Sequence, residues 1–295
     1  MWLEYGVSPE RELVKIDEVS SGKTNLVCPF CDALLTAKKG KIKQHHFAHS
    51  GETCLKVRKG NIPSLPLYDN FHLSLSGKHF QLLKDLWREY KDTTHPIITV
   101  PFELETKKLF DWTQEGYYFT DLGKIPVGGL SLSSFNAVQE PLILAELHRL
   151  TNSMAVAKAI GGDVLAEKGA DLRIYQMQVR RILRFQLYFL QIETNKGLLH
   201  KIGVTSRDMN SRLKEITRDL KQHFSQFDIT VLGTWQHRGN VELYFKHRYQ
   251  EYNYHIGKLT EYYSFNDVES VLADLRSMQP KVLEESEQAL YDLQL

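Results

Sequence analysis

The sequence predicts an α+β protein in three parts. These are a small N-terminal module over residues 1–62, a mixed α/β region over 63–185, and a C-terminal domain over 186–295 with a small antiparallel sheet flanked by helices. Three observations carry that expectation. All three cysteines fall between positions 28 and 54, beside a histidine-rich run. NIPSLPLYDN (61–70) carries two prolines and turn residues, the composition of a linker. From Leu187 onward, two β-type runs flank an Asn-Lys-Gly turn and lead into segments with helical spacing.

Composition narrows the class. Of 295 residues, 42% are hydrophobic and 25% charged, which removes disordered, collagen-like and coiled-coil readings. Lys plus Arg is 37 against 36 acids, a net charge of +1, so the whole chain is neither a chromatin-type polycation nor a solvating acid. It has no apolar run of about 18 residues, and MWLEYGVSPERELVKIDE lacks the apolar core of a secretory signal. The expectation is a soluble, cytoplasmic protein without a membrane partner.

The N-terminal module reads CPFCDALLTAKKGKIKQHHFAHSGETC. Thiolate and imidazole pairs a few residues apart suit the tetrahedral coordination of zinc. Cys28, Cys31 and Cys54 are the expected ligands, with His49 as the fourth and His46 as its alternative; His45 is a further candidate. A redox CxxC would follow a strand and open a helix. Here CPFC leads instead into LLTAKKGK, a strand entering a turn at Gly40, as in a zinc ribbon. Cys28-Pro29, Cys31, Lys38 to Lys41 and His46 to His49 resemble the N-terminal region of competence CoiA-like proteins. That resemblance implies a structural Zn²⁺ in a module of a DNA-processing protein. Lys23 to Gly60 holds eight Lys/Arg against two acids. Lys38, Lys39, Lys41 and Lys43 are therefore candidate contacts to DNA phosphates.

In the middle region, Phe80, Leu83, Leu86, Trp87 and Tyr90 follow helical spacing within a segment starting at Phe71 and stopping near Thr93. Residues 95–135 read as short strands, among them PIITVPFEL and GYYF. Glu103, Glu105 and Lys107 outline a nuclease-like ExK, but without a partner aspartate a solvated strand edge is the better account. PLILAELHRLTNSMAVAKAI then reads as a helix from Pro141 to Gly161-Gly162, and ADLRIYQMQVRRILRFQ as a basic amphipathic helix.

The C-terminal third opens with Tyr188 to Ile192 and LLHKIGV, a hairpin about the NKG turn. A helix follows from about Asn210 with Leu213, Ile216 and Leu220 inward, then the strand DITVLGTWQH, then a helix near Asn240. Leu187-Tyr188, Lys201-Ile202-Gly203, Arg212, Glu242 and TEYYSF resemble, in order and spacing, the branch of the GIY-YIG nuclease superfamily that writes KIG for YIG. The resemblance implies a metal-dependent DNA endonuclease with Tyr188, Lys201, Arg212 and Glu242 as catalytic residues. Glu242 would hold Mg²⁺ or Mn²⁺, and His200, His247 and Glu261 would assist.

The residue types suit that chemistry. A single carboxylate with retained waters is typical of Mg²⁺, and a guanidinium fork matches charge on a phosphate. A phenol, titrating near pH 10 in water, needs a neighbour to act as base. Positions 201–250 hold nine Lys/Arg against five acids, and Arg207 is a further DNA contact candidate. The tail from Glu261 carries eight acids against two bases on helical spacing; it can pack back or, with the middle helices, mediate self-association. Two other readings stand beside the nuclease: a nucleic-acid-binding protein that does not cut, and a zinc-scaffolded adaptor.

Overall fold

A computed structural model of the chain describes residues 3–40, 44–54, 57, 75, 77–257 and 259–292. In chain order the N-terminal strands are β1 (Tyr5–Val7), β2 (Leu13–Lys15), β3 (Gly22–Val27), β4 (Leu34–Lys38) and β5 (His46–His49). There follow α1 (Gly77–Tyr90), α2 (Phe102–Thr106), β6 (Phe110–Thr113), β7 (Gly116–Phe119), α3 (Asp121–Lys124), α4 (Leu132–Ile160) and α5 (Gly162–Arg184). The C-terminal elements are β8 (Gln186–Thr194), β9 (Gly197–Thr205), α6 (Met209–Leu220), β10 (Phe227–Trp235) and α7 (Val241–Arg248). The chain then forms β11 (Asn253–Ile256), β12 (Leu259–Tyr263), α8 (Val268–Arg276) and α9 (Glu285–Asp292). The α+β class is as expected. No helix among the described residues is long and apolar enough to cross a membrane.

The described residues fall into two units. One draws on Met1–Leu65, Ile143–Arg181 and Leu283–Leu295, the other on Pro66–Leu142 and Ile182–Val282. Within the mixed α/β region, Ile143–Arg181 groups with the first unit and Pro66–Leu142 with the second. The linker expected at 61–70 lies outside the described residues.

In the first unit, β1 to β5 form an antiparallel sheet in the order β2-β1-β3-β4-β5. The expected β4–β5 hairpin is present, running from Lys38 opposite His46 to Leu35 opposite His49. Alternation along β4 buries Leu35 and Ala37 and exposes Leu34 and Lys38. Leu26, Leu35, Phe47 and Cys28 share one core. Ile174 and Met177 of α5 cover Tyr5, Val7 and Leu13. Arg181 donates to the Leu13 carbonyl at 2.8 Å and pairs with Glu18. Strands β1 and β2 were not foreseen, because three residues are too few to display alternation.

In the second unit, residues 95–135 depart from the expected run of strands. Only β6 and β7 pair as a hairpin, and Ile97 bridges to Tyr117. Pro101, fixed at φ −61°, opens α2. Thr120 caps α3 by accepting from Gly123 N at 3.0 Å. The Ser131 hydroxyl accepts from Ser134 N at 3.2 Å, so α4 begins before Pro141 and carries that proline inside it. The chain leaves α4 through Gly161 and Gly162, both left-handed, as the paired glycines suggested.

The sheet of this unit has the order β10-β8-β9-β12-β11. The β8–β9 hairpin pairs Gln186 with Thr205 through to Thr194 with Gly197. Its alternation sends side chains to two faces. Leu187, Phe189 and Ile202 pack with Val241, Tyr244 and Phe245 of α7 and Leu272 and Leu275 of α8. Tyr188, Leu190 and Ile192 pack with Ile216 and Leu220 of α6. Asp208 caps α6, accepting from Ser211 N at 2.9 Å. This capped helix brings Arg212 over the face that carries Tyr188.

Candidate functional site

The first cluster lies in the N-terminal unit. Ligand atoms of Cys28, Cys31, His49 and Cys54 all lie within 4.8 Å of one another. Cys28 ends the strand pairing of β3, and the chain reverses through Asp32 at φ 56°, with Cys28 N donating to Ala33 O at 2.8 Å. That turn presents Cys31 to His49, whose Nε2 lies 3.3 Å from the Cys31 sulfur. Burial pushes the Cys28 thiol up to about 12 and raises Cys31, and burial lowers His49. A neutral imidazole and thiols that need a cation to ionise are a donor set suited to zinc. His49 Nδ1 is moreover buried without a hydrogen-bond partner. The cluster can hold a metal such as zinc. His46, the alternative ligand, is not among these four; its Nδ1 lies 2.8 Å from the Gln44 carbonyl oxygen. His45 Nδ1 lies 3.4 Å from Asp17 Oδ1.

The second cluster surrounds Tyr188, which is fully buried. Arg212 Nε donates to its hydroxyl at 3.1 Å. Burial pushes the phenol up to about 12, with the Arg212 charge opposing it. Burial likewise works against the Arg212 charge, but Tyr188 and Glu215 outweigh it and hold the guanidinium above its ordinary value. Glu215, one turn along α6, accepts from Arg212 NH1 at 2.9 Å and also pairs with Arg207. Gly203 faces Tyr188 across the hairpin, and a β-carbon there would lie 2.5 Å from the phenol Cζ.

Beside the phenol runs a chain of alternating charges. Lys201 Nζ is 2.8 Å from Glu261 Oε2, and Lys246 Nζ is 2.9 Å from Glu261 Oε1 and 3.1 Å from Glu242 Oε1. Lys201 is buried and also lies over the Tyr262 ring, its cross-strand partner. Burial raises Glu242, against Lys246. Burial also works against the Glu261 charge, but Lys201 and Lys246 outweigh it and hold that carboxyl at about 2. Tyr188 and Tyr262 share one core, and Lys201 lies 4.7 Å from the centre of the Tyr262 ring, which brings the charged chain to the Tyr188 face of the sheet.

The remaining candidates are placed differently. His200 is fully buried, stacked on Phe189 with centroids 5.6 Å apart, and neither ring nitrogen has a hydrogen-bond partner. Burial holds it at about 4, as a neutral ring on the sheet face opposite Tyr188. His247 packs edge-on to Phe80, 6.1 Å between centroids, and burial followed by the Lys84 charge lowers it. Lys39 donates to the Asp17 and Val19 carbonyls at 3.2 and 2.8 Å, which makes it a structural brace. Lys38 and Arg207 are exposed. Lys41 and Lys43 lie outside the described residues.

Sequence reading missed Lys246 and Glu215. Each sits at helical spacing from a named residue, Lys246 four after Glu242 and Glu215 three after Arg212. That spacing was the available signal.

Two family models match parts of the chain. Residues 11–55 match the N-terminal domain of competence protein CoiA, in agreement with the resemblance read from the cysteine and histidine motifs. Residues 186–279 match the T5orf172 domain, with which a GIY-YIG-type reading is compatible. No curated protein and no solved structure matches the chain.

Proposed function

We propose that the chain processes DNA as a metal-dependent endonuclease of GIY-YIG type, hydrolysing phosphodiester bonds at the Tyr188 site. The zinc-type cluster of the N-terminal unit serves as a structural staple. The observation that carries the reading is that the Tyr188–Arg212 pair and the Lys201–Glu261–Lys246–Glu242 chain, drawn from β8, α6, β9, β12 and α7, meet at Tyr262, which shares the Tyr188 core and lies under Lys201. A module that only binds phosphate has no need of two carboxylates beside its cations, which repel it.

The donor set suits a hard divalent cation. Glu242 offers a carboxylate oxygen beyond the one paired with Lys246, and burial disfavours its charge until a cation compensates it. Glu242 would hold Mg²⁺ or Mn²⁺, which when bound supplies Lewis-acid stabilisation of charge on the phosphate or leaving oxygen. As the phenolate, with its own proton released to solvent, Tyr188 would accept the proton of the attacking water at Oη. Arg212, donating to that oxygen, opposes the rise that burial imposes on the phenol and also offers its guanidinium to the phosphate in the transition state. Lys201 fixes Glu261, and Lys246 shares its ammonium between Glu261 and Glu242, which orients both carboxylates. The test is cleavage of plasmid and single-stranded DNA with added Mg²⁺ or Mn²⁺. The wild type should cut and Glu242→Gln, which keeps the side-chain volume, should not.

A further inference from the structure

Away from the Tyr188 site, the second unit contains a cleft of about 500 Å³ that the proposed mechanism does not use. One wall is α1 with the turn that follows it: Lys84 and Arg88 on the helix and Lys91 just past its end, where its N–H still donates to the Trp87 carbonyl, are spaced by four and three residues, with Trp87 beside them. The other wall is the end of α7 and the turn after it, with Arg248, Tyr249 and Tyr252. Gly128-Gly129 forms part of the lining between them. A β-carbon on Gly129 would lie 2.6 Å from the Trp87 ring, and one on Gly128 2.6 Å from Arg248 Cα, so these positions need glycine.

The lining is cationic and aromatic together. Four Lys and Arg residues face a single carboxylate, Glu251. Arg88 and Lys91 have only loose, exposed acid neighbours, at 3.4 and 3.9 Å, which leaves their charges available. The Arg248–Tyr249 wall is fixed: Asp274 accepts from Arg248 Nε at 2.7 Å and from the Tyr249 hydroxyl at 2.6 Å. Tyr252 lines the cleft and is 37% exposed, with its ring steadied by Phe265 and Tyr249 at 5.3 and 6.4 Å between centroids. Cations in a row track successive phosphates, and an exposed aromatic face stacks a base. A duplex keeps its base faces inside its own stack. An acidic peptide would use the cations and not the ring.

We propose that this cleft binds an unpaired segment of a nucleic-acid strand, with phosphates against Lys84, Arg88 and Lys91 and a base against Tyr252. The proposal rests on reading the chain as acting on nucleic acid. Glu242 lies in the first turn of α7 and Arg248 ends it, a separation along the axis of about 9 Å. A strand held in the cleft therefore lies within one or two nucleotides' reach of the carboxylate.

The test is fluorescence anisotropy of a labelled short single-stranded DNA with the full chain, without added Mg²⁺ or Mn²⁺, across a salt series. The Arg88→Glu/Lys91→Glu variant should bind about tenfold or more weakly, with a salt slope reduced by about 1.4, the value for two lost contacts on a single strand. Tyr252→Ala should weaken binding about fivefold or more, and Tyr252→Phe should restore it. Single-strand affinity unchanged in both variants would overturn the proposal, as would a loss confined to duplex DNA. The nuclease reading is read out separately, by cleavage. Cleft-dependent binding in a chain that never cuts would sink the nuclease and leave the cleft standing, and cutting with cleft-independent binding would do the reverse.

Discussion

Gly203 and Tyr188 face each other across the β8–β9 hairpin so closely that a β-carbon on Gly203 would lie 2.5 Å from the phenol Cζ, and closer still to the hydroxyl. The glycine of the Lys201-Ile202-Gly203 motif is thus the floor on which the phenol lies. Gly203→Ala should force the ring off Arg212. We expect a loss of about 1–3 kcal/mol, as for overpacked cores, read as a lower midpoint in urea. Removing the hydroxyl relieves part of that clash, so Tyr188→Phe/Gly203→Ala should be more stable than the sum of the single changes implies. Strict additivity would contradict the contact.

Arg212→Ala removes the donor to Tyr188 and the guanidinium offered to the phosphate. Cleavage should fall by about 10²–10³, the usual effect of deleting one transition-state donor. Arg212→Lys should recover little, because an ammonium lacks the planar fork. Recovery to near wild-type rates would show that only the charge matters.

The Glu261 carboxyl has its folded pKa held at about 2, below its ordinary value of 4.5, by Lys201 and Lys246 against the effect of burial. A depressed carboxyl contributes stability that is present above the ordinary value and lost as pH falls through the folded one. Urea unfolding between pH 5 and 2 should show that loss, on the order of 1 kcal/mol given a side chain one-third exposed. The Glu261→Gln variant should show a flatter profile over the same window. An unchanged profile would remove the Lys201–Glu261–Lys246 bridge from the account.

His200 makes the opposite case. Its folded pKa of about 4 lies below the ordinary 6.5, so the unfolded chain binds the proton first. Stability should therefore decline as pH drops from about 6.5 toward 4. His200→Phe should flatten that decline and leave cleavage intact, since the ring is stacked on Phe189 and lies off the Tyr188 face. Loss of cleavage in a well-folded His200→Phe chain would return the histidine to the catalytic list.

The Cys28, Cys31, His49 and Cys54 cluster should bind one zinc per chain, measured by metal analysis of the purified protein. Cys31→Ser and His49→Ala should each lower the zinc content. A strong chelator should reduce the melting temperature of the wild type and have less effect on these variants. His46→Ala should retain zinc, because its ring stands at the Gln44 carbonyl. Zinc loss on His46→Ala alone would reverse that ligand assignment.

Much of this was legible in the sequence where spacing is local. The Cys28/Cys31 knuckle, the NKG hairpin and the Ile216/Leu220 face of α6 each state their geometry within a few residues. His49 was already preferred to His46 as the fourth ligand, and the β4–β5 register, which sets His49 against Leu35, accompanies its place beside the cysteines. Residues 95–135 misled because Pro101, Thr120 and Ser131 start helices through single caps inside β-like text. His200, expected to assist catalysis, is a core residue, since the strand period placed it among Phe189 and Phe265. Lys246 was hidden for a different reason. Its importance depends on Glu261, fifteen residues away on another element.

The most direct test of the central claim compares wild type, Glu242→Ala and Arg212→Ala in cleavage of plasmid and single-stranded DNA with Mg²⁺ or Mn²⁺, alongside DNA binding by the same preparations. The account predicts metal-dependent cutting by the wild type and none by Glu242→Ala, with both variants folded and DNA binding by Glu242→Ala retained. Wild-type chain that binds DNA and cuts no substrate with either metal would contradict it, and would make the Tyr188 cluster a clamp.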